Sequence, residues 1–160
     1  MSKIQVVVSG LGWMGSGIGS IESAIEELLE EARDEILLTA YAIGKTDRIF
    51  KLLEVALLRG VRVRMIVNRL PEQHESIQHI LNELQKKYRH FQLYPFNPGN
   101  ERGDLHAKVL VVDRKRALVG SSNLSYNGLI LNHEMAVLID GQEAATIGVA
   151  IDRLTGHAGI

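Results

Sequence analysis

Apolar residues along the chain fall into two spacings that alternate, and the alternation predicts strands separated by helices. Residues 4–8 are a short apolar run that reads as a strand, followed by a glycine-rich loop over residues 10–19. Ile21, Ile25, Leu28, Leu29 and Ala32 recur at helical spacing, so residues 20–33 are expected to form an amphipathic helix capped by Ser20. Residues 35–42 hold the run ILLTAYA of a buried strand. A second helix begins at Asp47, places Ile49, Leu52, Leu53, Ala56 and Leu57 on one face, and ends at Gly60. Residues 61–67 alternate Val-Arg-Val-Arg before turning fully apolar, as a strand does on entering a core. Pro71 is expected to open a third helix that reaches Tyr88. Residues 91–94 read as a brief strand and 95–103 as a loop. Residues 105–112 and 116–120 read as adjacent strands joined by the charged turn Asp113-Arg114-Lys115. A strand over residues 134–139 and a helix over 142–154 complete the chain.

Strands alternating with helices in the first half, and neighbouring strands in the second, predict an α/β sandwich with a mixed central sheet flanked by helices. A length of 160 residues suits one domain over residues 1–160 with a sizeable core. The formal net charge of −1 supplies no global basic field, which leaves a local basic groove open. There is no cysteine, so disulfides, thiol catalysis and Cys-ligated zinc are excluded. No apolar run approaches the ~20 residues of a membrane span. Gln5, Ser9 and several glycines interrupt the N-terminal apolar stretch, which makes it a poor signal peptide. A cytoplasmic setting without a membrane is the expectation.

Gly10, Gly12 and Gly15 spell G-x-G-x-x-G between a strand and a helix, the outline of a dinucleotide-binding loop. Such a loop needs an acidic residue at the end of the next strand to hold the ribose. That strand ends in Thr39-Ala40-Tyr41-Ala42 instead. No nucleotide cofactor is expected. The loop is either a flexible connector or a set of backbone N–H groups that meet a phosphate. Trp13 and Met14 are expected to anchor it in the core.

Residues 105–124 read LHAKVLVVDRKRALVGSSNL. His106 and Lys108 are two apart, so a strand would present them on one face, with Leu105, Ala107, Val109 and Val111 on the core face. An imidazole and an ammonium among apolar residues are costly unless something uses them. The returning strand brings Gly120, Ser121, Ser122 and Asn123 alongside. One imidazole, one ammonium, one hydroxyl and one amide make a site for a tetrahedral oxyanion. Lys108 and Asn123 would donate to nonbridging oxygens, and His106 would act as nucleophile or proton shuttle.

The pattern H-x-K-x4-D-x6-G-S-x-N, matched at His106, Lys108, Asp113, Gly120, Ser121 and Asn123, resembles the motif of the phospholipase D superfamily. Asn132-His133-Glu134 fits the place of that family's downstream glutamate. The chain is similar in particular to the small, single-motif, metal-independent bacterial endonucleases of the superfamily. The resemblance implies that His106 attacks phosphorus to form a phosphohistidine. A second motif histidine protonates the leaving group, then activates the water that releases the product. His74, His79, His90, His133 and His157 all lack a lysine two residues on, so the chain holds one motif. The resemblance therefore implies a homodimer in which two copies of His106 meet at a twofold axis. One is nucleophile while the other is general acid, as a coupled pair allows. Lys108 and Asn123 would hold the phosphate with help from Ser121. Glu134 would accept a hydrogen bond from the far nitrogen of His106, and Asp113 would have a structural or orienting role. No carboxylate cluster accompanies these groups, so neither metal nor cofactor is expected.

Three readings of the substrate stand side by side. The first is a metal-independent endonuclease, with DNA favoured over RNA. Lys45, Arg102, Lys115 and Arg116 are the basic residues expected near its site, and Tyr126 and Asn127 are candidate substrate contacts. The second is a phospholipase or phosphatidyltransferase, whose family members generally carry two motifs in a longer chain. The third is a non-catalytic nucleic-acid-binding or interaction module, against which the intact reactive set argues. The basic run Lys86, Lys87, Arg89 and His90 reads as a solvated helix end, and His133 as surface. A near-neutral nuclease suggests a partner that delivers nucleic acid, such as a helicase, a translocase or a DNA-reading domain, as in phage defence.

Overall fold

Among the residues described by the computed structural model (1–44, 46–99 and 103–156), eight strands form a single mixed sheet. In chain order they are β1 (Lys3–Ser9), β2 (Gly19–Ser20), β3 (Glu35–Ala40), β4 (Arg62–Asn68), β5 (Phe91–Phe96), β6 (Lys108–Val112), β7 (Arg116–Gly120) and β8 (Glu134–Asp140). Their order across the sheet is β2-β1-β8-β7-β6-β3-β4-β5. The helices are α1 (Ile21–Glu31), α2 (Asp47–Leu58), α3 (Glu75–Lys87) and α4 (Gln142–Leu154). β3, β4 and β5 pair in parallel, with α2 and α3 as crossovers, whereas β6, β7 and β8 run antiparallel to their neighbours. This is the mixed, helix-flanked sheet that the apolar spacing predicts.

The two faces of the sheet have separate cores. Leu38, Met65, Leu110, Val112 and Leu118 pack against α1, α2 and α3. Leu37, Ile66, Val111 and Ala117 pack against Ala144 and Ile151 of α4. Ser20 caps α1, its Oγ accepting the Ser23 amide at 3.0 Å. Gly60 closes α2 in a left-handed conformation with φ 88°.

Several boundaries shift for local reasons. The third helix starts at Glu75 rather than Pro71, because His74 takes the cap position and its Nδ1 accepts the Ser76 amide. Pro71 instead lies in a short 3-10 turn, Leu70–Glu72. The first helix stops at Glu31, and the glycine loop is not structureless. It holds a 3-10 turn, Leu11–Trp13, and its end pairs with β1 as β2. Met14 is exposed and Trp13 half-buried, so neither anchors the loop in the core; Trp13 packs edge-on against the His133 ring instead.

A buried charge network lies on the α4 face of the sheet. The Arg114 guanidinium binds both carboxylate oxygens of Asp152, at 2.8 and 2.9 Å, and also Glu35. Arg64 binds Asp152 at 2.8 Å from the other side. Glu35 and Asp152 are both buried. Pairing of every member is what makes such burial tolerable. Among the described residues, no helix is long and apolar enough to cross a membrane.

Candidate active site

One edge of the sheet gathers the polar residues. The C-terminal ends of β1, β3, β4 and β7 and the N-terminal ends of β6 and β8 lie together there, as the pairs Ser9↔Glu134, Lys108↔Gly120 and Thr39↔Val109 require. The motif histidine does not sit on a strand: β6 begins at Lys108, and His106 precedes it on exposed chain outside any strand. Ala107 is exposed as well, against the expectation of a core position, because pairing with β3 ends at Val109.

His106 and Lys108 nevertheless meet. Lys108 Nζ lies 2.8 Å from Nδ1 and 3.3 Å from Nε2 of the imidazole. Tyr41, just past the end of β3, closes the pair. Its ring centroid is 4.4 Å from that of His106, and Lys108 Nζ lies 5.0 Å from the same ring. Burial pushes the Lys108 pKa below that of an ordinary lysine, and the nearby Glu134 carboxylate opposes the shift.

β7 returns beside this pair. A Cβ at Gly120 would fall 2.6 Å from the Met135 carbonyl oxygen, so only glycine lets β7 and β8 approach this closely. The closeness joins Ser121 to Glu134: the Ser121 hydroxyl donates to the Glu134 carboxylate and accepts the Met135 amide at 3.2 Å. Asn123 lines the same crevice as Lys108 and Tyr41, and its Oδ1 is buried without a hydrogen-bond partner among the described residues. Ser122 faces away, donating to the Gly128 carbonyl at 2.7 Å, and Ser9 donates to that carbonyl at 3.1 Å. These bonds fasten the π-helical turn Asn127–Leu131 beneath the site.

Asp113 stands apart. It follows the far end of β6, about 16 Å from Lys108 at ~3.3 Å per residue. There its carboxylate accepts the backbone amides of Arg33, Asp34 and Glu35, at 3.0, 2.8 and 2.9 Å. It closes the α1–β3 junction from a left-handed turn. Lys115 and Arg116 lie at that same far end, and Arg116 is engaged by Glu27 and Glu31, so neither approaches His106. Lys45 and Arg102 lie outside the described residues. Lys86 and Lys87 pair with Glu83 and Glu54, as a solvated helix end does.

A family model described as "Cardiolipin synthase, PLD-like domain" matches residues 25–151. The chain belongs to this phospholipase D-like family. Among its relatives, "DISARM protein DrmC" of Bacillus paralicheniformis is 32% identical over 126 residues, which is 78% of this chain and 52% of that protein. Cardiolipin synthase A of Buchnera aphidicola is 29% identical over 148 residues, 89% of this chain and 28% of the synthase. The chain thus spans about half the length of the one and about a quarter of the other. In fold it is similar to the solved structure of NucT from Helicobacter pylori, with a TM-score of 0.80, 20% identity and 98% of each chain covered.

Within this phospholipase D-like domain, Tyr41 and His133 are the residues whose place the sequence hides. His133 is exposed, yet its Nε2 accepts the Gly12 amide at 2.8 Å. A Cβ at Gly12 would come within 2.6 Å of that nitrogen, and one at Gly10 within 2.8 Å of the ring carbons. The first two glycines of the loop therefore accommodate an imidazole of the chain itself, and the Gly12 N–H is already engaged. Tyr126 is exposed beside the turn, and Asn127 opens it.

Proposed function

We propose that the chain is a metal-independent phosphodiesterase, an endonuclease with DNA ahead of RNA as substrate, working through a phosphohistidine at His106 in a homodimeric site. The observation that carries the reading is the contact of His106 with Lys108 at 2.8 Å, at the mouth of a crevice that Asn123 also lines. Lys108 Nζ lies within hydrogen-bond reach of the imidazole. An arriving phosphate offers that ammonium a better acceptor and frees the imidazole to attack phosphorus. Lys108 and the amide of Asn123 then neutralise the charge on the nonbridging oxygens, and Ser121, held by Glu134, adds a hydroxyl.

The P–O bond to the leaving group breaks as the P–N bond to His106 forms, and the departing oxygen needs a proton. In this reading a second copy of His106, from a partner subunit, gives it. That imidazole then takes a proton from water as the water oxygen displaces His106 from phosphorus. Glu134 is the acceptor that orients the imidazole once the two sites meet. The exposed side chains Leu11, Met14, Ile130 and Leu131, on segments that flank this edge, offer apolar surface for such a contact. The likeness to a DISARM protein supports a setting in phage defence, and the near-neutral charge favours a partner that delivers nucleic acid, such as a helicase or translocase.

The family description keeps a second reading in view, transfer or hydrolysis of lipid phosphodiesters. One assay separates the two. Purified protein is incubated in EDTA with single- and double-stranded DNA, with RNA, and with phosphatidylglycerol vesicles. Cleavage of nucleic acid that disappears in His106→Asn supports the endonuclease. Turnover of vesicles alone overturns it in favour of the lipid reading, and no turnover of any substrate favours a binding module.

A further inference from the structure

Two buried polar side chains take no part in the chemistry above: Thr39 is 3% exposed and Asn68 2%. Thr39 stands where the ladder of β3 to β6 runs out, and Asn68 ends β4, the strand on the other side of β3. β6 pairs with β3 only as far as Thr39↔Val109, and residues 104–107, which carry His106, lie on chain outside any strand. At that point the Thr39 hydroxyl donates to the Ala107 carbonyl at 2.8 Å and accepts the Val109 amide at 3.0 Å. The two bonds straddle Lys108. One strand further, Asn68 Oδ1 accepts the Leu105 amide at 2.9 Å, and Asn68 Nδ2 donates to the Asp104 carboxylate at 3.3 Å. Arg69 Nε secures the same carboxylate at 2.7 Å. The bonds on Leu105 and Ala107 bracket His106.

We propose that Thr39 and Asn68 are positioning residues that fix His106 and Lys108 in reacting register, side-chain bonds replacing the ladder where β6 leaves β3. The proposal rests on reading His106 and Lys108 as the reacting pair. A reacting group displaced by about 1 Å can lose on the order of a hundredfold in rate, so a segment without ladder bonds needs such fixed points. Both side chains are buried, so their own polar groups need partners inside the protein, and the segment that carries His106 supplies them.

The test compares the wild type, Thr39→Val, Thr39→Ser and Asn68→Ala by amide hydrogen exchange, by NMR of the imidazole nitrogens, and by turnover of bis(p-nitrophenyl) phosphate. In the wild type, the Leu105 and Val109 amides are expected to be protected. Thr39→Val should move the His106 imidazole signals, leave those of His133 in place, and lower kcat at least tenfold with KM within twofold. Thr39→Ser, which keeps the hydroxyl, should restore both. Two results would overturn the proposal: Leu105 and Val109 amides that exchange as freely as unstructured chain in the wild type, or a folded Thr39→Val with wild-type His106 signals and kcat. If Thr39→Val does not fold, wild-type exchange and the His106 signals of Asn68→Ala decide the matter. If the wild type turns over no phosphodiester, the functional reading fails, while exchange and imidazole signals still decide this proposal.

Discussion

Lys108 Nζ reaches Nδ1 of His106 at 2.8 Å although only one residue separates them and only the lysine belongs to β6. The contact is local in sequence, but two other segments shape it. Tyr41 covers it from the end of β3, and Glu134 of β8 supplies the negative charge that opposes the loss of the ammonium.

Replacing Lys108 by Met should cost on the order of 10²–10³ in kcat, the scale of a lost oxyanion donor. The variant should melt no lower than the wild type at neutral pH, because it removes a charge that burial disfavours. The sign follows from the lowered pKa. Between the folded value and the ordinary lysine value, the unfolded chain binds more protons, so the Lys108 contribution to stability rises with pH across that alkaline window. Thermal melts from neutral to alkaline pH should show that rise in the wild type and lack it in Lys108→Met.

Asp113 belongs to the motif by sequence and to the scaffold by position. Asp113→Ala should destabilise the fold by about 1–3 kcal/mol, because three backbone amides lose their acceptor. Urea unfolding measures that loss. Turnover per folded molecule, assayed well below the melting temperature, should stay within a few-fold of wild type. A hundredfold fall in kcat without loss of stability would instead make Asp113 part of the chemistry.

The hydrogen bonds from Arg114, joined by Arg64, hold the Asp152 carboxyl below the usual carboxylate range against the effect of its burial. A depressed folded value means that this stability is fully present above the ordinary aspartate pKa and is lost as pH falls through the folded one. Asp152→Asn should therefore unfold more readily at neutral pH. Breaking a buried pair typically costs about 3–5 kcal/mol. The gap between variant and wild type should narrow as both are acidified below pH ~4. Denaturant midpoints measured at neutral and acidic pH check both statements.

The sequence made the core of this site readable because its chemistry is compressed into twenty residues, His106 to Asn123 with two flanking positions. It did not show how that segment is held. Thr39, Tyr41 and Asn68 look like ordinary strand residues until β3 and β4 are set beside β6. The Gly12–His133 bond joins residues 121 positions apart, so the sequence could reject a cofactor loop at G-x-G but could not show the imidazole that it receives. The ion network of Glu35, Arg64, Arg114 and Asp152 is hidden for the same reason: each member reads as a surface charge on its own element. Apolar periodicity located the helices well. It failed at Pro71, where a histidine cap further on outweighed the proline, and at Ala107, where alternation continued past the end of the ladder.

The most direct test of the central claim is to look for phosphorus on His106. Protein turning over a cleavable phosphodiester in EDTA is quenched in alkali, which preserves a phosphohistidine, digested, and examined by mass spectrometry. A phosphoramidate adduct that keeps one ester group is expected on the peptide that contains His106, with neither adduct nor turnover in His106→Asn. Turnover that survives His106→Asn, with no adduct on that peptide in the wild type, would contradict the claim.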